Sequence, residues 1–123
     1  MPTSAIIIIG NEILSGKVVD ENAPWLTRRL REMGVDLIRI STIPDDIDII
    51  GQTVRELSDL ADWVFTSGGV GPTHDDLTMA GVAQGFGVGL QLEESVAKIL
   101  RDKLGNDREA PIRQMATIPK GAE

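Results

Sequence analysis

The chain has no cysteine and no tyrosine, one histidine, and only two tryptophans and two phenylalanines in 123 residues. Without cysteine there are no disulfides, no thiol nucleophile and no thiolate metal site. A single histidine, His74, excludes an all-histidine metal centre, so any metal would be a hard ion held by oxygens, such as Mg²⁺. So few aromatics argue against a stacking platform for bases. Basic residues are outnumbered, 12 against 19 acidic, for a formal net charge of −7. That balance argues against a general nucleic-acid surface, which needs a basic stripe. The longest pure apolar run, Ala5 to Ile9, is far short of the roughly 18 residues that span a bilayer, so no membrane segment is expected. Met1-Pro2-Thr3 offers no basic leader, and the expected compartment is the cytoplasm. There is no G-x-x-x-x-G-K-[ST] motif and no G-x-G-x-x-G after the first strand.

What is present is organised around Thr66-Ser67-Gly68-Gly69-Val70-Gly71-Pro72-Thr73-His74-Asp75-Asp76-Leu77-Thr78. The run Trp63-Val64-Phe65 before it reads as a buried strand, and a helix is expected from about Leu77 to Gln84. Glycines between a strand and a helix let backbone N–H groups approach an anion. Two adjacent carboxylates, Asp75 and Asp76, make sense beside a phosphate only with a divalent cation between them. The same residues also make a plain turn, with Thr73-x-x-Asp76 as a helix start resembling a capping box.

Hydrophobic residues make up 41% of the chain, enough for one domain with a real core. Ala5 to Ile9 is apolar without alternation, the pattern of a strand buried on both faces. Gly10-Asn11-Glu12 and Gly16 follow at its carboxyl end, where open α/β sheets bind ligands. The stretch to Asp20 otherwise reads as a loop with a β-bridge. Asp20 or Asn22 can cap a helix to about Met33, with Leu26, Leu30 and Met33 on its buried stripe. Arg28, Arg29 and Arg31 read as its solvated face. Val35 to Ile43 reads as a second strand, with Ile38 and Ile40 set against Arg39 and Ser41.

Pro44-Asp45-Asp46 opens a helix through about Leu60 carrying Ile47, Ile50, Val54, Leu57 and Ala61. One aspartate caps that helix, which leaves the other over. Leu90 to Leu92 reads as a short extended piece. Glu93 to Leu104 reads as a helix with Val96, Ile99, Leu100 and Leu104 apolar. A helical turn over Ala110 to Met115 and a turn at Pro119-Lys120-Gly121 complete the chain. The order β-α-β-α-β-loop-α predicts a parallel sheet with helices on both faces. The loops near residues 10–16, 44–46 and 66–78 then meet at one edge. Asn11, Asp45 and Gly69 to Asp76 are expected to line one pocket there. A Ser67–His74–Asp75 triad is not expected from such short spacing, and His74 should lie at the surface.

The glycine-rich stretch, Ile9-Gly10-Asn11-Glu12-Ile13-Leu14-Ser15-Gly16 with Asp20 and Asn22, Ile43-Pro44-Asp45-Asp46, and Met115 to Ala122 together resemble the molybdopterin-binding fold family. The resemblance covers nearly the whole chain and is closest to the competence/damage-inducible protein A branch. It implies a three-layer α/β/α fold with a mostly parallel sheet, one domain over residues 1–123, and a homo-oligomer. Family members continue past the late motif with another strand, so the chain is expected to stop short of it. The resemblance implies a small phosphorylated ligand held by Gly10, Asn11, Glu12, Ser67, Gly68, Gly69, Gly71, Pro72 and Thr73. It also implies Mg²⁺ or another divalent ion on Asp45, Asp75 and Asp76, with Asp45 and Asp76 catalytic. The leading expectation is a metal-dependent pyrophosphatase acting on ADP-ribose or a related dinucleotide. The alternatives are a molybdopterin-binding protein of molybdenum cofactor biosynthesis and a non-catalytic binding module.

Overall fold

Six consecutive buried residues, Ser4 to Ile9, make strand β1 (Thr3–Ile9) the centre of the molecule. The coordinates are a computed structural model that describes residues 1–123. β1 pairs in parallel with β2 (Asp36–Ile43) on one side and with β3 (Trp63–Ser67) on the other, giving the order β2-β1-β3. Successive side chains of a strand point to opposite faces. Ala5, Ile7 and Ile9 therefore pack with Ile50, Val54 and Leu57 of α3 (Ile47–Leu60). Ile6 and Ile8 pack on the other face with Ala23 and Leu30 of α2 (Asn22–Glu32). Each isoleucine so buried contributes roughly 1.5–3 kcal/mol. Unbroken apolar character in β1 thus produces the expected three layers, helix on sheet on helix.

α4 (Thr78–Gly85) lies against α3, and glycines set how close they come. A Cβ at Gly85 would stand 2.6 Å from the Gly51 carbonyl oxygen, so neither helix can carry a larger residue at that crossing without moving. The rest of the chain forms β4 (Leu90–Leu92), α5 (Glu94–Leu104), α6 (Glu109–Met115) and β5 (Thr117–Pro119). β4 and β5 pair antiparallel, and Ala97, Ile112 and Ala116 form a small core under them. No helix is long and apolar enough to cross a membrane.

Several sequence expectations change. Trp63 is 59% exposed, because β3 is an edge strand and not a doubly covered one. Ile38 and Ile40 are exposed on the other edge. A register shift between Ser4 and Ala5 leaves Ile38 without a partner on β1. Met33 lies at the C-cap of α2 and is exposed, as are Ile99 and Leu104 of α5, whose buried residue is Ala97. Asn11–Leu14, expected as loop, is a single helical turn, α1. Thr117 and Ile118, unassigned from sequence, form a strand with Pro119, expected to open a turn, only because β4 is there to pair with it.

Candidate functional site

The carboxyl ends of β1 and β2 are tied by a reciprocal pair of hydrogen bonds. The Asn11 N–H donates to Asp45 Oδ2 at 3.0 Å, and the Asp45 N–H donates to Asn11 Oδ1 at 3.1 Å. The pair of aspartates divides its work as the sequence requires. Asp46 is the N-cap of α3, accepting from the Ile49 N–H at 3.0 Å. Asp45 is the one left over, and it faces the site. Gly10 donates its N–H to the Ile43 carbonyl at 3.0 Å, extending the β1–β2 ladder by one step. The Glu12 carboxylate folds back over Gly10, where a Cβ would collide with it.

The glycine-rich loop leaves β3 at Ser67. Gly68 and Gly69 both have positive φ, at 98° and 69°. Space dictates glycine as much as backbone angle does. A Cβ at Gly68 would overlap the Ile9 carbonyl oxygen, and one at Gly69 would overlap Thr78 Oγ1. Thr78, buried at the start of α4, donates its hydroxyl to the Gly68 carbonyl at 2.7 Å and its N–H to the Gly69 carbonyl at 3.1 Å. In a trans peptide the N–H points opposite the carbonyl. Fixing the Gly68 carbonyl on Thr78 therefore turns the Gly69 N–H away from the helix. The N–H groups of Gly68, Gly69 and Val70 donate to no protein acceptor. Sequence reasoning left Thr78 out of the site, although it closes the signature stretch.

Asp76 is not a helix cap. α4 begins two residues later, with Leu77 at its N-cap and no side-chain capping bond. Asp76 Oδ2 reaches back and accepts from the Thr73 N–H at 2.9 Å and from the Thr73 hydroxyl at 2.8 Å. The Thr73 amide lowers the Asp76 pKa below the usual 3.8, outweighing partial burial, and the Thr73 hydroxyl and the Gly71 amide act in the same direction. Half of the expected capping box is thus made, but inside a turn that precedes the helix. Gln114 of α6 donates to the Thr73 carbonyl and ties this turn to the small core. His74 is 93% exposed and lies 3.3 Å from an Asp75 carboxylate oxygen that is also exposed. Ser67 instead accepts from Asn22 Nδ2 at 2.7 Å, so no Ser67–His74–Asp75 triad exists.

The expected single pocket is divided into three recesses. Asn11, Glu12, Asp45 and Asp75, with Ser15 and Lys17, line one of about 520 Å³. Gly69, Gly71, His74 and Asp76 line a second of about 270 Å³, closed by Gln114 and Thr117. Glu12, Asp20, Asn22, Ser67 and Gly68 line a third of about 300 Å³. Leu77 borders the first and the second and Glu12 the first and the third, so the three recesses adjoin. Pro72 and Thr73 are exposed and line none of these three recesses, Thr73 being engaged by Asp76. Lys17, the basic residue of the first recess, drew no notice in the sequence because it stands in a stretch without a clear period.

These positions lend no support to the expected metal site on Asp45, Asp75 and Asp76. No three acidic or imidazole groups come together anywhere in the molecule to hold an ion. Asp45 and Asp76 each spend a carboxylate oxygen on backbone N–H groups, Asp76 adds a side-chain hydroxyl, and the two line different recesses. The three carboxylates therefore share no single seat, although Asp45 and Asp75 line the same recess.

Comparison with known proteins places this chain in a family. A protein of Archaeoglobus fulgidus is 42% identical over 118 residues, which is 96% of this chain and 51% of that protein. A CinA-like protein of Frankia casuarinae is 39% identical over 96% of this chain and 29% of its own length. The chain thus spans about half, or less, of the length of the curated relatives it matches. The crystal structure of the protein CinA from Thermoplasma acidophilum superposes with a TM-score of 0.90 at 34% identity, covering 98% of this chain and 73% of that one. The molybdopterin biosynthesis enzyme MoaB of Thermus thermophilus shares the fold, with a TM-score of 0.66 at 18% identity over 93% of this chain and 72% of that one. A family model described as a probable molybdopterin binding domain matches residues 5–121. The chain belongs to the molybdopterin-binding domain family and is CinA-like within it.

Proposed function

We propose that this chain binds a phosphorylated pterin of the molybdopterin type, with the glycine-rich loop receiving its phosphate. The observation that carries the reading is the run of N–H groups at Gly68, Gly69 and Val70 that no protein acceptor uses. Backbone N–H groups left free between a strand and a helix attract anions. The neighbouring recess has the opposite preference. Glu12, Asp45 and Asp75 line it with a single lysine. Carboxylates repel a phosphate but accept hydrogen bonds from the amino and ring N–H groups of a pterin. The ligand's two ends are thus sorted by charge.

Hydrolysis of an ADP-ribose-type dinucleotide, the leading expectation from the sequence, draws no support from the carboxylates. Asp45 and Asp76 line different recesses. The test is calorimetric titration with molybdopterin, ADP-ribose, FAD and NAD, followed by assay of each mixture for AMP and phosphate. The expected result is binding of molybdopterin without release of either product. Metal-dependent release of AMP from ADP-ribose, with no molybdopterin binding, would overturn the reading.

A further inference from the structure

Asn22 belongs to the opening motif, yet its side chain serves neither the helix nor the loop amides. Asp20 takes the capping role for α2, accepting from the Asn22 N–H at 3.0 Å and the Ala23 N–H at 3.1 Å. Asn22 is left with a free side chain at a fixed place. Its Nδ2 donates to Ser67 Oγ at 2.7 Å across 45 positions of sequence. Both side chains line the recess of about 300 Å³ where β1 and β3 end, together with Gly68 and with Glu12, Glu21 and Asp20, whose two oxygens are taken by the α2 amides.

A hydroxyl has one proton to give and lone pairs with which to accept. Here the Ser67 oxygen accepts from Asn22, and its proton has no protein acceptor. The Gly68 N–H next to it is also unused. We propose that Asn22 is a positioning residue. It occupies the acceptor side of the Ser67 hydroxyl, so that Ser67 Oγ–H and Gly68 N–H form a two-donor seat for an oxygen of the ligand's phosphate. The proposal rests on the phosphate reading above and adds the residue that sets the direction of the hydroxyl. The competing role is a plain tie between α2 and β3. A tie alone would affect every ligand equally, whereas an oriented donor matters only to a phosphate.

The experiment titrates molybdopterin and its dephosphorylated form against wild type, Asn22→Ala, Ser67→Ala and the double variant, with melting temperatures for all four. The expected result is an approximately tenfold loss of molybdopterin affinity in either single variant, the scale of one hydrogen bond to a charged group. The double variant should lose no more than Ser67→Ala alone, since Asn22 acts only through that hydroxyl. The dephosphorylated form should bind all four alike. An Asn22→Ala protein that binds molybdopterin like wild type overturns the positioning role and leaves the phosphate reading intact. Equal losses for both ligands, or a matching fall in melting temperature, reduce Asn22 to a tie. A wild-type chain that binds neither probe removes the phosphate reading and the role of Asn22 with it.

Discussion

Asn11 and Asp45 exchange backbone-to-side-chain hydrogen bonds in both directions, each donating its N–H to the other's side-chain oxygen. Thirty-four positions apart, they fasten the loop after β1 to the loop after β2. The two acidic residues at the start of α3 therefore have separable roles. Asp46→Ala removes a helix cap and should cost about 1 kcal/mol in urea denaturation. It should leave molybdopterin affinity unchanged. Asp45→Ala opens the clasp, with a stability loss of about 1 kcal/mol and weaker ligand binding. Asp45→Asn keeps an acceptor for the Asn11 N–H and should stay within about 0.5 kcal/mol of wild type. Equal affinities for the Asp45→Ala and Asp46→Ala proteins would take Asp45 out of the site.

The Asp76 carboxylate accepts two hydrogen bonds from Thr73, and its pKa in the folded chain is lowered. A depressed carboxyl pKa stabilises the fold above the unfolded value and loses that contribution as pH falls through the folded one. Wild type should therefore melt above Asp76→Asn by a constant margin near neutrality. That margin should shrink once the pH drops below 3.8, the ordinary value of the group. Thermal melts of both proteins across that range provide the check, and a margin that persists undiminished in acid contradicts the role.

Gly68 and Gly87 both have positive φ but differ in what surrounds them. A Cβ at Gly68 would overlap the Ile9 carbonyl oxygen, while one at Gly87 meets nothing within 4 Å. Gly87→Ala should cost only the backbone strain of a left-handed residue, about 1–2 kcal/mol. Gly68→Ala adds a collision with β1 and should cost more, about 3 kcal/mol or above, or prevent folding. Denaturation midpoints measured side by side test the ordering. Equal costs would mean that the loop can withdraw from β1.

His74 is exposed, and its one ion-pair partner is the similarly exposed Asp75. His74→Ala should leave stability within about 0.5 kcal/mol of wild type. It should also leave molybdopterin binding nearly unchanged, since His74 shares the second recess with Gly69 and Val70 but holds its side chain out at the rim, 93% exposed. A large loss of affinity in this variant would show that His74 contacts the ligand beside the Gly69 and Val70 amides.

The centre of the fold was legible in the sequence because β1 could hardly be read otherwise. Five apolar residues in a row, four of them isoleucine, satisfy only a strand covered on both faces, and that fixes a layered α/β architecture. The helices were legible from their period and the glycine-rich loop from its composition. Two adjacent aspartates at the start of α3 announced that one of them had a second task. What the sequence could not hold was any relation between distant segments. The exposure of Trp63, Ile38 and Ile40 follows from β3 and β2 being edges, which is a property of the sheet. The strand at Thr117–Pro119 exists through its partner β4. Asp45 and Asp76 read as a pair along the chain, and only the folded loops set them in different, adjoining recesses. Asn22 meets Ser67 only after β1 has aligned its neighbours. Local chemistry decided which residues were suited to a site, and long-range packing decided which of them share one.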